Sequence, residues 1–170
     1  MKTLASMSKQ QTLGAAKLCL AVVAVFIGTV VPRYILAQSP IFFSKTSVVI
    51  VTGTGVQQFS MELAEEPRQH AQGLMGRQSL AADSGMLFVY ARPRRVSMWM
   101  KDTVIPLDML FVRSDGIIES IAERTTPLSL TTIRSEQAVR AVIELNAGTA
   151  TRLGIEAGNR VIHDAFKIAE

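Results

Sequence analysis

Lys101, Asp102 and Thr103 form a compact polar cluster inside the otherwise apolar stretch 98–111. An ammonium, a carboxylate and a hydroxyl in three consecutive residues can hold an anion or a hydrogen-bonding ligand. Polar groups wedged between buried strands must either be exposed in a loop or find internal partners. The same stretch carries Trp99, the only Trp of the chain, and Met98, Met100 and Met109, three of its eight Met. Trp99 could stack against a ligand at this loop, or plug one end of the core with its indole N–H bonded to backbone.

Asp102, Asp108 and Glu144 are the carboxylates nearest to apolar runs. Two of them could act as general acid and base, for instance on a glycosidic bond, provided they lie within about 10 Å of each other. The competing reading has Asp108, just after Pro106, capping backbone N–H groups in a turn. Arg77, Lys101 and Arg124 could build an anion site with Thr103; pairing with surface carboxylates is the simpler alternative. The methionines suggest a soft metal such as Cu(I), but only Met98 and Met100 have a close same-face spacing, and Met is an ordinary core filler. His70 and His163 share no ligand-like spacing, so neither a metal nor a cofactor is expected. Arg92, Arg94 and Arg95 lack interleaved aromatics and read as a solvated turn. No nucleophile elbow, P-loop, dinucleotide fingerprint or metalloprotease motif occurs, and no residue is assigned to catalysis.

The elements around these residues are short. Ser47 to Thr52 is a β-branched run, Gly53-Thr54-Gly55 turns the chain, and Val56 to Leu63 can pair back. Glu65-Glu66-Pro67 opens a helix that should run to Leu74 or Met75, with Gly76 ending it. Strands are predicted over Gly85–Tyr90, Val96–Met100, Leu107–Val112 and Gly116–Ala122, the last two joined by a Ser114-Asp115-Gly116 hairpin turn. In the second of these, Met98 and Met100 should face one way and Trp99 the other. Thr125 to Ser135 reads as a loop. Ala138 to Leu145 is a strand with Val139, Ala141, Ile143 and Leu145 on one face. A short helix follows over Gly148–Leu153, ended by Gly154, and a last strand runs from Arg160 to about Ala165. This pattern predicts an α+β domain whose sheet is mostly antiparallel and strongly curled or barrel-like, with two short helices.

Charge and hydropathy divide the chain. Four of its 18 Lys and Arg lie in the first 37 residues, leaving 14 against 14 Asp and Glu in the remainder. The net charge of +4 therefore belongs to the leader, and no nucleic-acid partner is expected for a neutral domain. Leu18 to Val31 is a short hydrophobic run after a basic start. It is too short for a standard spanning helix and suits a signal peptide, with a cleavage site after Ala37. Left uncleaved, residues 18–37 would act as an N-terminal membrane anchor with the basic end in the cytoplasm. Either way residues 38–170 are expected to be exported, as a periplasmic protein or one held at the outer face of the inner membrane. Residues 38–46 read as a linker and 47–170 as the domain. The one Cys, Cys19, lies in the leader, so the exported part has no thiol chemistry.

Five blocks then occur in order: Gly73-Leu74-Met75-Gly76-Arg77, Gly85-Met86-Leu87-Phe88, Trp99-Met100-Lys101-Asp102-Thr103, Ile105-Pro106-Leu107-Asp108-Met109-Leu110-Phe111 and Glu144-Leu145-Asn146-Ala147-Gly148. Together, over about residues 56–165, they resemble the DUF192 (UPF0127) family of small uncharacterised bacterial and archaeal proteins. That family usually has Asn where this chain has Asp102, and often an acidic residue where Asn159 follows Gly158. The resemblance implies a compact β-rich fold and, in many members, an export signal; it supplies no activity. Three functional readings result. The leading one is a non-catalytic envelope module that binds a small molecule or an envelope protein through Trp99, Lys101, Asp102, Thr103 and Asp108, with Arg77, Glu144 and Asn146 nearby. The others are an envelope hydrolase using the Asp108 and Glu144 carboxylates, and a structural protein whose motifs only maintain the fold.

Overall fold

A computed structural model describes residues 40–166. The leader and its cleavage site lie outside them. The elements run β1 (Ser44–Thr52), β2 (Gly55–Ala64), α1 (Pro67–Gln72), β3 (Ser84–Arg94), β4 (Ser97–Met98), β5 (Leu107–Val112), β6 (Ile118–Ala122), β7 (Ile133–Arg134), β8 (Val139–Asn146), α2 (Thr149–Leu153) and β9 (Arg160–Ile162). A 3-10 turn, Asp164–Phe166, follows. β1 thus begins inside the stretch read as linker.

Seven strands form one sheet in the order β6-β5-β8-β3-β2-β1-β9, and β4 pairs with β7 in a small second sheet. All pairings are antiparallel except β2 with β3, which are parallel. A parallel neighbour needs a crossover, and residues 65–83, including α1, supply it. The sheet curls strongly into a half-barrel rather than a full barrel. Among the described residues its edges meet at one corner, where Ile117 bridges Arg160 and the Val161 N–H donates to the Gly116 carbonyl at 2.7 Å.

Strand alternation sorts the apolar side chains into two cores. One face carries Val48, Ile50, Phe59, Met61, Leu87, Leu110, Ala141, Ile143 and Leu145. The other carries Met86, Phe88, Tyr90, Leu107, Met109, Phe111 and Val142, covered by Leu74, Val96, Met100 and Ile105. The central strands β3, β5 and β8 are therefore buried on both faces, which explains why they read as near-continuous apolar runs.

Several sequence expectations shift. α1 ends at Gln72, before Leu74, because Gly73 takes φ 47 and ψ −138, a conformation that a side chain disfavours. β3 continues through Arg92, Pro93 and Arg94, where a turn was expected. Val139 packs with the second core rather than beside Ala141, Ile143 and Leu145, because the β3–β8 register slips between Val89 and Arg94. β4 stops at Met98, and part of the expected 125–135 loop forms β7 to pair with it.

Candidate functional site

On the second face of the sheet, β8 turns Val142, Glu144 and Asn146 away from the half-barrel interior. Glu144 sits between the cross-strand neighbours Met86 of β3 and Met109 of β5. It is 4% exposed. Among the described residues no hydrogen bond or ion pair reaches its carboxyl group, and its residual exposure opens onto a cleft of about 450 Å³. Burial pushes this carboxyl up to about 8 from an ordinary value of 4.5. The group therefore carries its proton at neutral pH and presents an O–H donor.

The walls come from three segments. α1 and the turn after it contribute His70, Gly73, Leu74 and Met75; β3 contributes Phe88, Tyr90 and Arg94; the 97–103 segment contributes Met98, Trp99, Lys101 and Thr103. The His70 Nε2 lies 3.0 Å from the Ala64 carbonyl. A carbonyl only accepts, so this nitrogen carries the proton in the neutral ring. The His70 ring also packs against Tyr90 at 4.8 Å between centroids. Tyr90 donates its hydroxyl to the Met98 sulfur at 3.7 Å. Burial lifts the Tyr90 phenol to about 12, against the pull of Arg94 and with a smaller push from Glu144.

Two cations stand around this cleft. The Arg94 guanidinium lies 4.9 Å from the Tyr90 ring centroid, and the Lys101 ammonium 5.7 Å from that of Trp99. No carboxylate pairs with either among the described residues. Trp99 is 51% exposed, so it is a wall of the cleft and not a plug of the core. Arg94, read from the sequence as part of a solvated turn, instead lies against an aromatic ring beside the cleft.

The eight residues singled out in the sequence divide evenly. Trp99, Lys101, Thr103 and Glu144 line the cleft. Asp108 does not: it faces the other core, fully buried, and accepts the N–H groups of Arg124 (2.8 Å), Gly148 (3.0 Å) and Ala150 (2.9 Å). It ties α2 and the 124 turn to the sheet. Asp108 and Glu144 therefore project from opposite faces, and the hydrolase reading built on that pair is corrected. Arg77 bonds Glu62 at 2.6 Å away from the cleft. Asn146 donates to the Leu80 and Ala81 carbonyls. The Asp102 side chain is exposed outside the cleft.

Asp102 has a conformational role instead. It takes φ 52, a left-handed backbone that Asn and Asp tolerate better than other side chains. Asn, which the family resemblance implies at this position, fits the same backbone. Its carbonyl accepts the Gly76 N–H at 2.9 Å, which joins the 73–77 block to the 99–103 block. Thr103 closes the same turn, its N–H bonded to the Met100 carbonyl and its hydroxyl to the Lys101 carbonyl. Met100 itself is buried and takes a hydroxyl from Thr125 at 3.1 Å, so it and Met98 make no exposed metal pair. Sequence reasoning missed His70, Tyr90 and Arg94 as site residues. For Tyr90 a signal was present, since Met86, Phe88 and Tyr90 share a face by strand alternation.

The DUF192 family model, described as "Uncharacterized ACR", matches residues 48–163. The chain belongs to the DUF192 family. A solved relative from Sinorhizobium meliloti 1021, described as a proposed transcription regulator, is 44% identical with a TM-score of 0.72, over 74% of this chain and 98% of its own. Another from Novosphingobium aromaticivorans DSM 12444, of unknown function, is 36% identical with a TM-score of 0.69, over 70% of this chain and 85% of its own. A comparison with curated proteins gave no match. The matched segment of this DUF192 domain contains every residue of the cleft.

Proposed function

We propose that this DUF192 protein is an exported, non-catalytic module that binds a small molecule in the cleft above Glu144. The observation that carries the reading is Glu144 itself. A buried carboxyl group without a hydrogen-bond partner is costly in a finished fold. Placed at the end of an open cleft with aromatic and apolar walls, it has a use as a ligand contact. Export rests on the basic, hydrophobic leader; the zero net charge of residues 38–170 favours a small ligand over nucleic acid.

The test is mass spectrometry of small molecules that co-purify with the full chain from its native compartment. A defined molecule should accompany the unaltered protein and be lost from Trp99→Ala and Lys101→Ala. Recovery of the same molecules from all three proteins would remove the binding role and leave a structural one. Fractionation checks the location: protease added outside the cytoplasmic membrane should digest the domain, and protection from it would remove export.

A further inference from the structure

The cleft combines a buried carboxyl group with two cations, and together they specify an occupant. At the floor stands one uncharged donor, the Glu144 carboxylic acid, between Met86 and Met109. Arg94 and Lys101 lie against aromatic rings beside the cleft with no carboxylate on either. Burial alone raises the Glu144 carboxyl; neither cation lowers it. Phe88, Leu74 and Met98 add apolar walls, which favour an apolar body.

We propose that the cleft selects a small organic carboxylate whose opposite end carries an uncharged hydrogen-bond acceptor. Its carboxylate meets Arg94 and Lys101, its apolar middle lies along Phe88 and Leu74, and its far oxygen receives the Glu144 O–H. This assignment rests on the binding function proposed above and adds the ligand class. A ligand with two neutral ends leaves the cations unused. A zwitterion with an ammonium at the far end puts that charge against an acid held neutral by its surroundings, so it must first strip the proton.

The groups facing Glu144 from the surrounding elements are His70 of α1, Tyr90 and Arg94 of β3, and Lys101 of the 100–103 turn. Of these, Tyr90 is coupled to it electrostatically. Binding should therefore weaken as the pH rises through about 8. There the floor changes from a donor to an anion that repels the ligand's oxygen. The Glu144→Gln variant is the control that assigns a change near pH 8 to this carboxyl group. Glutamine keeps an uncharged N–H donor at the floor and cannot ionise.

The experiment is a titration of the full chain with 6-hydroxyhexanoate, 1,6-hexanediol and 6-aminohexanoate at low ionic strength. Trp99 fluorescence and calorimetry are the readouts; Trp99 is the only Trp of the chain. 6-Hydroxyhexanoate should bind at pH 6.5, with the other two weaker by roughly tenfold, as expected for loss of a charge-assisted contact. Lys101→Met, at an exposed position, should weaken the hydroxy acid and leave the diol unchanged. Glu144→Gln should abolish the decline toward pH 9, read as the ratio of its own affinities at pH 6.5 and pH 9. The ligand class is overturned if the diol or the amino acid binds as tightly, or if none of the three binds. In that event a neutral or cationic molecule co-purifying in a Trp99-dependent way leaves the binding function standing. No such molecule and no probe binding overturns both.

Discussion

Glu144 and Asp108 are buried carboxyl groups one strand apart, and their surroundings give them opposite roles. Asp108 receives three backbone N–H groups; Glu144 receives none. Asp108→Ala leaves those donors without their acceptor and should cost about 3 kcal/mol or more, read as a lower midpoint in urea with ligand binding retained in the folded fraction. Glu144 has a folded pKa of about 8 against an ordinary 4.5, so between these values the folded state holds a proton that the unfolded chain has released. Its contribution to stability is fully present below pH 4.5 and falls by about 1.4 kcal/mol per unit as pH rises, levelling above about 8. Glu144→Gln should flatten this slope, measured as the change in urea midpoint between pH 5 and pH 8. An unchanged slope would show that other groups carry it.

At the scale of elements, β3 meets β8 closely at one glycine. Gly85 of β3 makes this approach: a Cβ there would press into the Glu144 carbonyl oxygen and lie 2.6 Å from the Met61 sulfur. Gly85→Ala should push β8 outward and lower stability by about 1–3 kcal/mol, with Trp99 fluorescence shifting as the cleft floor moves. Most strands were legible in the sequence because their apolar runs are long and bounded by turn residues. Helix α1 was less so: the apolar Leu74 and Met75 extend its pattern, yet Gly73 leaves the helix to lie against the Phe88 ring. The site was half legible. Trp99, Lys101, Thr103 and Glu144 stood out as polar or aromatic residues beside buried strands. Asp108, Asp102, Arg77 and Asn146 stood out for the same reason, and composition cannot distinguish a carboxylate that holds backbone from one that faces a ligand. Arg94 was hidden because Pro93 and the neighbouring arginines read as a turn, whereas β3 continues through them.

For the described domain as a whole, the half-barrel closes at a single corner. Gly116 makes that contact, with φ 77 and a hypothetical Cβ 2.6 Å from the Val161 carbonyl. Gly116→Ala should free β9 from the start of β6 and raise hydrogen exchange in residues 158–162 selectively, while β3 and β8 beneath the cleft stay protected. Equal exchange increases in β3 and β8 would show instead that the corner supports the entire sheet. The crossover between β2 and β3 has a further result that concerns the order in which the chain is made. Residues 70–103 supply the walls, but Glu144 arrives with β8, some forty residues later. A ribosome that has delivered β5 has produced both sides of the cleft and no floor. Under the proposed binding function, recognition would belong only to the nearly finished polypeptide: a product truncated before Val139 carries every aromatic wall residue and lacks the acid of the floor.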